Sequence, residues 1–85
     1  MNAPRLRVGL LGLGRLGRVY ARDLGFRIRE TRLVAVCDPL ADVVKGVADE
    51  FDVAGRHTEA EELVLDPNVD AVVIVTPTRT HKDLV

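Results

Sequence analysis

Six residues, Gly12-Leu13-Gly14-Arg15-Leu16-Gly17, follow the apolar run Leu6 to Leu11 and open a segment of helical periodicity, and Asp38 closes the next apolar run. Glycines at this spacing suit an anionic ligand at a strand-to-helix turn. Gly12 permits the tight bend, Gly14 lets the backbone approach a pyrophosphate, and Gly17 lets helix and strand pack closely. Backbone N–H groups around Arg15 and Leu16, with the positive end of the helix dipole, would hold the diphosphate. The glycines alone are a weak signal, but strand, turn, helix, strand and terminal carboxylate arrive in the order that dinucleotide binding requires.

Asp38 lies at the separation from the glycines at which a second-strand carboxylate accepts hydrogen bonds from the adenosine ribose hydroxyls. It favours NAD, because a 2′-phosphate about 4 Å away would be repelled by roughly 4 kcal/mol per charge pair at intermediate dielectric. No arginine follows to offset that repulsion. A second role stays open: Asp38 before Pro39 also reads as a helix N-cap followed by proline at the first helical position, and one carboxylate can serve both purposes.

Thr76-Pro77-Thr78 ends the last apolar run, at the sheet edge where ligands of open parallel sheets bind. These residues are expected beside the cofactor, although Pro77 also breaks the strand, and Thr80 with Asp83 would cap a following helix. His81 falls in the first turn of that helix, where a generic histidine is a surface residue. His57 reads as a loop residue, and Glu59, Glu61 and Glu62 as a solvated helix face favouring a helix N-terminus. Cys37, the one cysteine, sits in an apolar strand and is expected to behave as a small buried hydrophobe. Metal-ligand spacing, a nucleophile elbow and a Ser/His/Asp arrangement are all missing, so no catalytic residue is assigned.

The elements that must position these residues follow from the apolar pattern. Leu6 to Leu11 is apolar almost throughout, as in a parallel strand covered on both faces. A helix is expected from Arg15 to about Gly25, on the spacing of Leu16, Val19, Tyr20 and Leu24, with Ile28 past its end. Leu33 to Cys37 forms a second strand, and the stripe Leu40, Val43, Val44, Val47, Ala48 and Phe51 a second helix. Gly46 inside that helix costs roughly 1 kcal/mol relative to Ala, which packing against the sheet would offset. Val53 to His57 reads as a short third strand. Thr58 with Glu61 reads as a capping box opening a helix through Leu65, which the turn Asp66-Pro67-Asn68 stops. Ala71 to Val75 is the fourth strand. Alternating strands and helices imply right-handed crossovers and an α/β fold: a Rossmann-type parallel sheet of order 3-2-1-4 with flanking helices, half of a dinucleotide-binding domain spanning residues 1–85.

Composition narrows the function classes. With 47% apolar and 29% charged residues, the 85-residue chain has the balance of a globular protein, and its size makes it marginal in stability alone. The N-terminus lacks a hydrophobic stretch of signal-peptide length and no membrane-length run follows, so a cytoplasmic address is the default. The net charge of −1 divides into +6 for residues 1–32, with eight arginines, and −7 for residues 33–85. The positive field around the glycine turn suits an anionic ligand. Without interleaved aromatics the arginines read as a solvated face, and nucleic acid is not an expected partner.

GLGRLGRVYA, LVAVCDP and DPNVDAVVIVTPTRTH together resemble the N-terminal part of the Gfo/Idh/MocA oxidoreductases over nearly the whole chain. The TPTxTH ending is more specific than the glycines, which unrelated dinucleotide folds share. The resemblance implies that Thr76, Pro77, Thr78 and His81 border the nicotinamide side of the pocket and that Asp38 reads the adenosine ribose. GRLGRVYARDL followed by FRIRETRLVAVCDP is most similar to the inositol 2-dehydrogenase group, which implies NAD as cofactor, a cyclic polyol or sugar as substrate, and a homo-oligomer at full length. The family's Glu-Lys-Pro motif and catalytic Asp and His are expected beyond Val85, in a substrate domain that these 85 residues do not include, so the chain alone is expected to be inactive. Two other readings remain: a different Rossmann reductase, and a non-catalytic dinucleotide-binding or sensing module.

Overall fold

The first apolar run becomes an inner strand of the sheet. In the computed structural model, which describes residues 5–75, β1 (Leu6–Leu11) lies between β2 (Thr31–Cys37) and β4 (Ala71–Ile74), and β3 (Gly55–His57) pairs with β2. All three pairings are parallel and the order is β3-β2-β1-β4, as the alternation of strands and helices implies. The connections carry α1 (Arg15–Arg22), α2 (Ala41–Phe51) and α3 (Ala60–Val64).

β1 is buried on both faces. On one, Val8 and Leu10 meet Ala21 of α1, Leu24, and Val44, Val47 and Ala48 of α2. On the other, Leu63 of α3 packs with Ala35 and Cys37, flanked by Leu11, Val69 and Val72. β2 serves the first core with Leu33 and Val36, which strict alternation would send to opposite faces. The register reconciles them: Val8 pairs with Leu33 but Gly9 with Ala35, so Val34 is an extra residue, a bulge that resets the alternation.

Several element ends differ from the sequence reading. β2 starts at Thr31, because its polar first residues pair with the exposed start of β1, Leu6 with Thr31 and Arg7 with Arg32. β3 has only three residues, since Val53 is buried and its N–H returns to Ala48 O at 2.8 Å, closing α2 instead of extending a strand. α1 gives way after Arg22 to a π-helical turn, Asp23–Arg27, in which Ile28 N–H donates to Asp23 O at 2.9 Å. The wider turn leaves Leu24 O to accept from the Thr31 hydroxyl at 3.0 Å. The capping box at Thr58 does not form: α3 starts one residue later, with Glu59 as N-cap and no side-chain cap. The stop at Asp66 holds, with Asp66 Oδ1 accepting from Asn68 N–H at 2.8 Å. Gly46 is exposed and faces α1, where a Cβ would lie 3.9 Å from the Arg18 guanidinium, so close packing against the sheet does not account for it.

The basic and acidic halves of the sequence meet in the fold. Arg7 grips Asp70 with two side-chain hydrogen bonds of 2.9 and 3.1 Å, and Arg18 on α1 pairs with Glu50 on α2 at 3.1 Å. Each pair is about half-exposed and contributes little alone, but both reduce the positive field that the sequence presents. Among the described residues no helix is long and apolar enough to cross a membrane, and no group of three or more His, Cys, Asp or Glu could hold a metal ion.

Candidate dinucleotide-binding site

The glycine turn leaves the carboxyl end of β1 at the middle of the sheet. Gly12 has φ +97°, a conformation that L side chains rarely adopt, and a Cβ there would overlap the carbonyl oxygen of Val75 just after β4. Its N–H donates to Cys37 O at 2.9 Å. A Cβ on Gly17 would overlap the carbonyl of Gly12, so the absence of a side chain lets α1 start against the strand end. Gly14 differs from both: among the described residues nothing lies within 4 Å of the position its Cβ would take. Two glycines are demanded by the protein's own backbone, and the third faces open space.

Gly14 is also the N-cap of α1, with extended backbone and no side-chain cap, and the backbone of Arg15 and Leu16 forms the first helical positions. No acidic residue occupies the first turn of α1, whereas Asp42 does so in α2 and Glu61 and Glu62 in α3. The positive end of α1 is therefore the one that its own first turn leaves uncompensated.

Asp38, half-buried, stands at the end of β2 beside this turn. Its Oδ2 accepts from Leu13 N–H at 3.0 Å and its Oδ1 from Leu40 N–H at 3.0 Å. The N-cap of α2 is Leu40, whose carbonyl accepts from Val43 and Val44, so Asp38 does not cap the helix and Pro39 is not its first residue. The carboxylate instead closes the turn ahead of α2 and ties it to the glycine turn. A carboxylate offers about four acceptor positions, so roughly half remain for a ligand.

Behind Asp38 lies a contact that the sequence does not announce. Asp38 N–H donates to His57 O at 3.3 Å, and the His57 ring, Nε2, meets Asp66 Oδ2 at 2.9 Å. His57 is thus a strand residue with a partner, not a loop residue. The hydrogen bond from His57 and a second from the Asn68 backbone hold the Asp66 carboxyl below the usual carboxylate range. Burial, reinforced by the neighbouring charge of Asp38, pushes the Cys37 thiol up, which fits its role as core. Thr76, Pro77, Thr78 and His81 lie outside the described residues.

Residues 6–85 match the model of an oxidoreductase family described as having an NAD-binding Rossmann fold, the Gfo/Idh/MocA family. The chain belongs to this family. Among Gfo/Idh/MocA relatives it is 41% identical over 81 residues to scyllo-inositol 2-dehydrogenase (NAD(+)) of Bacillus subtilis, covering 95% of this chain and 24% of that protein. It is 36% identical over 80 residues to myo-inositol 2-dehydrogenase of Thermotoga maritima, covering 94% and 24%. Scyllo-inositol dehydrogenase from Lactobacillus casei, solved with bound NAD(H) and scyllo-inositol, superposes with TM-score 0.82 at 26% identity, over 94% of this chain and 24% of that one. The chain therefore spans about a quarter of the length of these relatives. It is the NAD-binding Rossmann part of a Gfo/Idh/MocA oxidoreductase. The described residues are compatible with that cofactor: none of them crowds the Cβ position of Gly14, where a diphosphate would need room, and Asp38 keeps acceptor capacity of the kind ribose hydroxyls would use.

Proposed function

We propose that this chain is the cofactor-binding part of an NAD-dependent dehydrogenase that oxidises a ring CH–OH of a cyclic polyol, an inositol or a related sugar, to a ketone. The observation that carries the reading is the pairing of an acid-free helix start at Gly14 with a carboxylate, Asp38, tied to the same turn through Leu13 at 3.0 Å. The first suits a diphosphate and the second suits an unphosphorylated ribose. Names of the relatives supply the substrate class, since they include scyllo- and myo-inositol 2-dehydrogenases.

NAD supplies the hydride acceptor. In this reading Gly14 and the start of α1 receive the diphosphate, and Asp38 accepts from the ribose and disfavours a 2′-phosphate by charge repulsion. Thr76, Pro77, Thr78 and His81 border the nicotinamide side. None of residues 5–75 is assigned acid–base chemistry on the substrate; they bind and orient, which is the larger part of what a protein adds to hydride transfer.

The test is a matrix of initial rates for the full-length protein, with NAD or NADP against myo-inositol, scyllo-inositol, glucose and an acyclic polyol. Turnover of an inositol with a clear preference for NAD is the expected result. NAD binding without turnover of any polyol would leave the binding role and remove the substrate class, and equal use of NADP would remove the role of Asp38.

A further inference from the structure

β3 is the shortest strand, three residues at one edge of the described sheet, paired on one side only through Ala35 with Gly55, Val36 with Arg56 and Cys37 with His57. So short an edge strand has little ladder to hold it. Its last residue nevertheless carries a connection the site depends on, because the His57 carbonyl accepts the Asp38 N–H. The Asp38 carboxylate in turn accepts from Leu13 within the glycine turn. What secures His57 is its ring, whose side chain is 20% exposed and meets the Asp66 carboxylate, 10% exposed, at 2.9 Å.

Asp66 is a firm anchor. Its Oδ1 accepts from Asn68 N–H, and its own N–H donates to the carbonyl of Leu63, a residue with no exposed surface that packs against Ala35 and Cys37. The contact thus ties a weakly paired strand end to a turn seated on the core. We propose that His57 and Asp66 form a positioning pair for the dinucleotide site, fixing the end of β3 so that its carbonyl holds Asp38 in register with both the glycine turn and the ribose. Neither residue touches the cofactor in this assignment; both act through Asp38. The inference rests on the reading of Asp38 as the ribose acceptor.

Affinity for NAD and NADP, measured by titration of the full-length protein, tests it with His57→Ala, His57→Gln and Asp66→Ala, each alone and combined with Asp38→Ala. Loss of one part-buried hydrogen bond predicts roughly 3- to 10-fold weaker NAD binding for His57→Ala and Asp66→Ala. The preference for NAD over NADP should narrow with it. His57→Gln, whose amide can donate over a similar reach, should recover most of the loss. On the Asp38→Ala background none of the three should weaken NAD further, as expected for residues coupled through one group.

The same loss on that background would overturn the proposal, and so would unchanged affinity in a folded His57→Ala protein. Failure of all three single variants to fold would make the pair a folding element and overturn it as well. If Asp38→Ala itself leaves NAD affinity and preference intact, the ribose reading fails and the pair loses its role with it. A null result confined to His57 and Asp66 leaves the ribose reading standing.

Discussion

The first two strand-to-helix turns of this sheet solve the same problem in opposite ways. After β2, Asp38 folds its own carboxylate onto Leu40 N–H, Leu40 starts α2, and Asp42 in the first turn offsets the helix dipole. After β1, α1 has no cap side chain and no acid in its own first turn, and among the described residues nothing lies within 4 Å of where a Cβ on Gly14 would stand. One turn is completed by its own residues, and the other leaves its positive end for an anion. On the proposed reading, a helix start in a parallel sheet becomes a binding site through what its own first turn withholds.

That contrast breaks most severely at Gly17. Gly17→Ala forces a Cβ onto the Gly12 carbonyl, and backbone cannot yield as a flexible side chain can. We expect a loss of about 3 kcal/mol, the upper end for overpacking, read as a lowered urea midpoint. Next in size is Gly14→Asp, which gives the open turn the acid it lacks. Its backbone is already extended and its Cβ meets nothing, so thermal stability should hold or rise. NAD affinity should fall by roughly 100-fold, about 2.7 kcal/mol, as a carboxylate takes the place of the diphosphate. Loss of stability and affinity together would show that the gap at Gly14 serves the fold.

Smaller effects sharpen the other side of the comparison. Leu40 caps α2 without a side-chain bond and is 64% exposed, so Leu40→Ser should stabilise the protein by roughly 0.5 to 1 kcal/mol in urea unfolding. A loss would mean that the Asp38–Leu40 turn already meets every need of that helix start. The smallest expected effect concerns acid. Asp49, Asp66 and Asp70 all have carboxyl groups held low by hydrogen bonds, from Lys45 and Arg56, from His57, and from Arg7. Groups depressed in the folded state contribute stability that is fully present above the unfolded carboxylate range near pH 4, and that is lost as pH falls through their folded values. Urea midpoints should therefore stay level from pH 7 to about pH 5 and decline below about pH 4. A decline that starts well above pH 5 would show that these three carboxylates do not govern the acid response.

Much of this arrangement was legible in the sequence where one physical signal dominated. Leu6 to Leu11 is a strand in the residues named, because Val8, Gly9 and Leu10 are buried at its centre and only Arg7 interrupts its apolar run. The strand order followed from the alternation of elements and the handedness of crossovers. Gly12 and Gly17 have surroundings that exclude a side chain, in keeping with the bend and close packing their spacing suggests, and Gly14 is set apart from both. The reading failed where long-range geometry overrides local preference. Thr58 and Glu61 have the spacing of a capping box, but the helix begins a residue late. Val53 is apolar like a strand residue and serves instead as the stop of α2. Asp38 before Pro39 looks like a cap and spends its oxygens on Leu13 and Leu40. His57 and Asp66 are nine residues apart in no recognised motif, and only the parallel placement of β3 beside β2 brings them into one arrangement.

The Val75 carbonyl that would meet a Cβ on Gly12 has a kinetic meaning. Val75 is brought there by β4, whose register with β1 joins residues 63 positions apart, Val8 with Ala71 and Leu11 with Ile74. Closing so long a loop is entropically the most expensive contact among the described strands, and it is made by the last of these four to be synthesised. The wall of the glycine turn is thus built by the latest of the four described strands. The nascent protein should acquire its β1–β2 pairing, with Asp38 in place, before it can hold a dinucleotide, and in a refolding experiment cofactor protection should appear with amide protection at Val75 rather than with that at Gly12.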